Sequence, residues 1–536
     1  MEFAIKGPQG LITPARGFLW QEFFNFMKIN SILFENNSGK KETFDAPDFF
    51  ADLNLGQVIA AITAGKDEYN LKPFFYTPLN DVDSIEYRHE IFRDLESEIL
   101  FENVKAFAQK MRVMRKHLEQ SGKLHYKFQK ERWFSDAVEI YCGAVNGLLR
   151  DLSSAHLKSR GLLSLRQYLA DYAGSEPFTS LLKETKRLIA GLSSIKYRLL
   201  IDGDKVRVRQ YESETDYGAH VEEIFKKFKQ PAAKDYRMGF PEGSPDMNHV
   251  EARILDFVAM LNPGLFLDLD NYYLKNSGFL DETIRILDRE LQFYISCLDF
   301  ISIFKPAGLN FCYPRISGSD KDVYDYEGFD MALAHNLIKE NLPVVCNDFF
   351  MKGEERVIVV TGPNQGGKTT FARTFGQLHY LAAIGCPVPG REARLFLFDR
   401  LFTHFEKGED VQNLRGKLQD DLVRIYEILR QCTPNSIIVM NEIFTSTTLR
   451  DAVFLSERIM EKILELDLLC VWVTFIDELA SFGGQTVSMV STVAPENPTL
   501  RTFKVIRRPA EGLAHAILIA QQYRLTYDQL KERIKS

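Results

Sequence analysis

Apolar positions divide the chain into regions of different period. From Pro78 to about Leu192 they recur at three- and four-residue steps, as at Ile85, His89, Phe92, Leu95 and Ile99, which predicts long helices with Asp81 or Asp83 as a cap. Breaks are expected at 121–123, near Ser153 and at 173–177. Residues 195–211 switch to period two around Asp202, Gly203 and Asp204, the pattern of a hairpin. A short helix at 221–229 and a Pro/Gly/Ser-rich loop at 230–246 follow. Helical spacing then resumes from about 248 to 304, interrupted at 262–264, and beyond 305 short apolar strands alternate with helices.

These changes suggest five segments: 1–70 of unknown role, 71–194 a helical core or lever, 195–247 a reduced clamp-like hairpin and loop, 248–329 a returning helical lever, and 330–536 an α/β domain. The expected fold is an α/β phosphate-loop domain preceded by an elongated, mostly α-helical domain carrying a small β-hairpin insertion. A length of 536 residues with 45% apolar composition fits two to four folded domains. The N-terminal stretch has no apolar signal core and the run Leu468–Ile476 is too short for a bilayer, so a soluble cytoplasmic protein without membrane contact is expected. Seven scattered cysteines without a C-x-x-C pair argue against a disulfide framework or a zinc site.

The chemistry concentrates at Gly362-Pro363-Asn364-Gln365-Gly366-Gly367-Lys368-Thr369, which satisfies G-x-x-x-x-G-K-[ST] between the apolar strand Val357–Val360 and a plausible helix. Glycines let backbone N–H groups face phosphates, Lys368 supplies a point charge, Thr369 ligates magnesium, and Thr370 completes the expected ATP-binding run. A second buried strand, Ile437–Met440, ends in Asn441 and Glu442, where a carboxylate can polarise an attacking water; Glu442 is the candidate general base. Asn441 stands where an acidic residue is usual and can still hydrogen-bond a magnesium-bound water, so ATP hydrolysis is expected to be slow. A third strand, at 468–479, should lie beside these two.

The net charge of −7 gives no global attraction to nucleic acid, so DNA contact would need a local basic surface. The hairpin offers one, since Lys205, Arg207 and Arg209 alternate with Val206 and Val208 while Lys196 and Arg198 do the same on the first strand. A solvated face opposite a small core is the other reading of that pattern.

Four ordered blocks, "TPLNDVDSIEYRHEIFRDL", "TGPNQGGKTTFAR", "MNEIFTSTTLRDA" and "VTFIDEL", together resemble the MutS family of DNA mismatch repair ATPases. The resemblance covers about 70–536 and implies an ABC-like ATPase that dimerises, each phosphate loop facing a signature loop of the partner, with levers carrying DNA clamps. It matches Gly362, Asn364, Gly367, Lys368 and Glu442, with Thr369 in place of the usual Ser and Asn441 in place of the magnesium-associated Asp. Residues 410–422 match the signature segment in placement only, with Gly416 at the Ser position. Phe475 replaces the switch His, and Val344 stands where an aromatic stacks on adenine. Residues 1–70 are too few for separate mismatch-reading and connector domains, and a reduced form of the family is expected. The leading expectation is an ATP-driven homodimeric clamp, selective for structures in double-stranded DNA, in mismatch repair or related DNA repair; the alternatives are a protein-binding scaffold that holds ATP with little turnover, or the same machine acting on something other than DNA.

Overall fold

A computed structural model describes residues 31–35, 42–203, 205–212, 247–406, 416–494, 497–510 and 525–535. The chain forms two compact units interleaved in sequence, one within 94–158 and 162–288 and the other within 30–93, 159–161 and 289–536. Their breaks at 93/94 and 288/289 fall inside the helices Val82–Leu95 and Glu282–Ser302, where unbroken periodicity conceals which stretches pack together; the segment limits at 70 and 329 do not coincide with them.

In the helical unit, Glu98–Lys123 and Lys127–Ser154 are joined by three residues and pack along each other. The second helix buries Phe134, Val138, Tyr141, Val145, Leu148 and Leu152, a three-and-four spacing that keeps one stripe inward. Ser175 caps Glu176–Ser194 by accepting from the Phe178 N–H, and Asn248 forms a capping box with Glu251 at His249–Leu261. Pro263 opens the next helix, Pro263–Lys275, which accounts for the interruption expected there. The helix expected at 221–229 and the loop at 230–246 lie outside the described residues.

The hairpin comprises β1 (Tyr197–Asp202) and β2 (Lys205–Gln210), antiparallel. Its register places Arg198 opposite Arg209, Leu200 opposite Arg207 and Asp202 opposite Lys205, so Leu200 and Asp202 interrupt the expected basic face. On the other face Tyr197, Leu199, Ile201 and Val206 are exposed rather than set on a small core.

In the second unit, short strands β3 (Phe311–Cys312), β4 (Arg315–Ser317), β5 (Val323–Gly328) and β6 (Asn347–Met351) precede β7 (Val357–Thr361). After it come β8 (Val388–Pro389), β9 (Glu392–Phe396), β10 (Leu401–Phe405), β11 (Ile437–Asn441), β12 (Leu469–Val473), β13 (Thr486–Ala494) and β14 (Asn497–Arg507). The main sheet has the order β10-β11-β12-β7-β13-β14, parallel except for the β13–β14 pair. Every residue of β7, β11 and β12 is buried, as continuous apolar runs in a parallel sheet covered on both faces require. The third strand expected from the sequence lies between the other two.

Residues 42–77 brace this sheet's central helix, Lys368–Ala383. Arg373 donates to the Asp52 carbonyl at 2.8 Å, Gln377 to that of Leu53 at 2.8 Å and Tyr380 to that of Phe75 at 2.9 Å. Leu53 fills the space at Gly376, where an added Cβ would stand 2.7 Å from it. The Asp52 carboxylate accepts from Thr403 of β10 at 2.6 Å and from Arg424 of the helix Lys417–Gln431 at 3.2 Å.

A small sheet, β4-β9-β5-β6, encloses Asp325. That side chain is fully buried, and neither carboxyl oxygen has a hydrogen-bond partner among the described residues. Gly328 and Gly390 leave room for it, since a Cβ would come within 1.9 and 2.3 Å of its oxygens. Burial first, then the nearby Asp348 and Glu327, push its acid up from an ordinary 3.8 to about 8. Within that window the folded chain keeps a proton that the unfolded chain releases, so this group's contribution to stability falls as pH rises. Asp325→Asn removes the titration: relative to the unmodified chain, its stability in urea unfolding should improve by about 3.5 kcal/mol between pH 5 and pH 8. A pH-independent difference would contradict this account.

Candidate nucleotide site

The phosphate-loop pattern closes a turn between β7 and the helix Lys368–Ala383. Gly362 at φ 115° and Gly367 at φ 90° occupy backbone conformations that a side chain would strain, and Gln365 adopts φ 61°. Space is as restrictive as torsion: a Cβ on Gly362 or Gly366 would stand 2.6 Å from Ser491 Oγ of β13. The loop is therefore held as a bare backbone arch over that strand, ahead of a helix N-terminus whose N–H groups have no intrahelical acceptors.

Lys368 folds back into the arch. Its ammonium donates to the carbonyls of Gly362 at 2.9 Å and Pro363 at 3.2 Å and to Asn364 Oδ1 at 3.2 Å, and it lies 3.7 Å from Glu442 Oε1. Burial depresses it below the usual lysine range, an effect that Glu442 opposes and Arg501 adds to. The Thr369 hydroxyl donates to Asn441 Oδ1 at 2.7 Å, joining the loop's last polar residue to the end of β11. Glu442 follows at φ 50°, a left-handed backbone that turns the chain out of the sheet, and its N–H donates to the Val473 carbonyl at 2.9 Å. Thr370 is half-buried in the first turn, where its carbonyl accepts from the Thr374 hydroxyl.

Thus Lys368, Thr369, Asn441 and Glu442 come together at the C-terminal ends of parallel strands, the edge at which open α/β sheets bind ligands. Residues 358–516 match the model of the MutS family's domain V, a P-loop ATPase domain. Similar proteins include the DNA mismatch repair protein MutS of Clostridium kluyveri, 26% identical over 54% of this chain and 33% of the relative. MutS of Halalkalibacterium halodurans is 29% identical over 41% of this chain and 25% of the relative. DNA mismatch repair protein MSH3 of Eremothecium gossypii is 31% identical over 28% and 15%. The C-terminal part of the chain is similar to the MutS family's domain V. The aligned regions span a third or less of these relatives' own length.

Several MutS positions depart from the resemblance in ways the structure locates. Phe475 follows the buried Thr474 just past β12 and is half exposed. Gly416 stands immediately before the helix Lys417–Gln431, while residues 410–415 of the signature segment lie outside the described residues. Val344 is half-buried in the irregular stretch ahead of β6. The expected basic contacts belong to the helical unit: Lys196, Lys205, Arg207 and Arg209 are exposed and Arg198 is half-buried. No cluster of three or more His, Cys, Asp or Glu placed to hold a metal occurs among the described residues, nor does any helix long and apolar enough to cross a membrane.

Sequence reasoning missed Ser491, Asn347, Phe503 and Arg501, which stand around the loop without a motif of their own. Asn347 donates to the Phe503 carbonyl at 3.1 Å and accepts from the Val505 N–H at 2.8 Å, fastening β14 beside the arch. Arg501 donates to the Asn364 carbonyl at 3.2 Å.

Asn441→Asp would set a carboxylate against the Thr369 hydroxyl. Because magnesium favours charged oxygen ligands, the metal concentration for half-maximal binding of a fluorescent ATP analogue should fall about 10-fold. An unchanged metal requirement would place the cation away from Asn441.

Proposed function

We propose that this chain binds and slowly hydrolyses ATP with magnesium at residues 362–370, and that nucleotide binding drives two copies to close as a clamp on structured double-stranded DNA. The observation that carries the enzymatic part is the convergence of Lys368 and Glu442, 3.7 Å apart, beside the Thr369–Asn441 pair. In this reading the loop N–H groups of Gly362, Asn364, Gln365, Gly366 and Gly367 and the helix start bind the phosphates, with Pro363, which has no N–H, shaping the turn and Thr370 in the first helical turn. Lys368 exchanges its loop carbonyls for phosphate oxygens, and Glu442 accepts a proton from the attacking water. Thr369 and Asn441 supply oxygen donors of the kind magnesium takes, and the metal would neutralise phosphate charge. Asn441 adds no charge of its own, which makes turnover slow.

The DNA part rests on the similar proteins, which are DNA mismatch repair proteins, and on the basic residues Lys196, Arg198, Lys205, Arg207 and Arg209. ATP can shift a clamp between open and closed states only by binding one of them better, so slow hydrolysis suits a timer. The neutral Asn441 favours a second reading, in which the site holds ATP as a structural ligand and the chain acts as a scaffold for a protein partner.

Steady-state turnover separates the two: the unmodified chain should release phosphate, and Lys368→Ala or Glu442→Gln should each reduce the rate at least about 100-fold. Turnover at background in the unmodified chain would favour the scaffold. For DNA, affinity measured across salt concentrations should fall steeply, and reversing Lys205, Arg207 and Arg209 together should reduce the log–log slope by about 3. An unchanged slope would remove the hairpin as the contact.

A further inference from the structure

Phe503 stands at a break in the β13–β14 pairing. The register runs from Ser491 opposite Val505 to Val493 opposite Arg501, so Thr502, Phe503 and Lys504 together face the single residue Thr492. A bulge of this kind bends its strand and re-aims the side chain it carries. Phe503 takes φ 58°, a left-handed backbone that bulky residues rarely adopt, and its side chain stays 49% exposed. A half-exposed aromatic gains little burial in return for such strain, which persists only where the surroundings fix it.

The surroundings do fix it. Across the strands, the Thr492 hydroxyl donates to the Lys504 carbonyl at 3.1 Å, Thr502 donates to the Thr492 carbonyl at 2.9 Å, and the Lys504 N–H donates to the Thr502 hydroxyl at 3.2 Å. From β6, Asn347 donates to the Phe503 carbonyl at 3.1 Å and accepts from the Val505 N–H at 2.8 Å, and the Lys504 ammonium reaches the Cys346 carbonyl. Against the phosphate loop, a Cβ on Gly367 would stand 3.5 Å from the Phe503 carbonyl and 3.7 Å from its Cβ. The aromatic side chain is thus held beside the last residue of the arch, at the start of the helix Lys368–Ala383. We propose that Phe503 is a stacking platform for the base of the nucleotide whose phosphates the loop holds. This rests on the nucleotide reading of the site. With the phosphates in the arch, the ribose and base extend over the surface next to it, and a base covers an aromatic face through its own π face. A ring already fixed by its backbone loses little further freedom on binding, so the contact adds affinity beyond that of the phosphates.

The test is equilibrium binding of ATP and of tripolyphosphate, which has the phosphates without a base, each with excess magnesium, to the full chain and to Phe503→Ala and Phe503→Trp, with thermal melting of each without ligand. The unmodified chain should bind ATP more tightly than tripolyphosphate. Phe503→Ala should weaken ATP about 10-fold and leave tripolyphosphate within about 2-fold. Phe503→Trp should keep the ATP affinity, and ATP should change its tryptophan fluorescence beyond the change seen in the unmodified chain whereas tripolyphosphate should not; this variant carries the test should the Ala variant fail to fold. Equal losses of ATP and tripolyphosphate in Phe503→Ala would overturn the proposal and make Phe503 a brace of the loop. So would an ATP affinity unchanged by Phe503→Ala, or a Phe503→Trp fluorescence that responds no differently to the two ligands. An unmodified chain that binds neither ligand overturns the nucleotide reading itself, while one that binds both equally overturns the platform alone.

Discussion

The hydrogen bond from Thr369 to Asn441, spanning 72 positions of sequence, is the contact on which the site depends. It exists because β7 and β11 run parallel with β12 between them, in a register that aligns Val360, Val473 and Asn441 in one row. Backbone bonds continue that row past the strands, from Thr474 to Val360 and from Glu442 to Val473. Once the row is set, the left-handed turn at Glu442 has one direction in which to leave the sheet, and its carboxylate arrives beside Lys368. A shift of one residue in any of the three strands would reverse which side chains face the site.

The row is stiffened from two sides. On one, residues 42–77 lock onto the helix that carries Lys368 and Thr369, through carbonyls that accept from Arg373, Gln377 and Tyr380. Asp52 extends the same brace to β10 and to Arg424, on the helix that follows the signature segment. On the other, β13 and β14 press against the glycines of the loop. A bare glycine arch has large conformational freedom of its own, and these contacts remove much of it before any ligand arrives, which is the condition for preorganised phosphate binding.

Much of this was legible in the sequence because its determinants are local. Glycine spacing, a lysine after the last glycine and flanking β-branched runs specify strand, arch and helix over some twenty neighbouring residues, and the buried strands at 437–441 and 469–473 announce themselves by unbroken apolar runs. Period two identified the hairpin, but not that Leu200 and Asp202 share the face of Arg198, because pairing depends on the partner strand's register. The brace and the edge hairpin were invisible for a different reason. Asp52, Ser491 and Arg501 act through contacts between residues more than a hundred positions apart, and single polar side chains leave no periodic trace. Asp325 carried no signal either, since its unusual acidity comes from enclosure by four short strands.

The central claim is that the loop, Lys368 and the strand-end pair form a binding site for a magnesium-bound triphosphate. Titration calorimetry addresses it most directly: ATP added to the full chain with magnesium should give a saturable heat corresponding to one site per chain, lost on Lys368→Ala. Absence of heat from both ATP and a non-hydrolysable analogue with the folded, unmodified chain would contradict it.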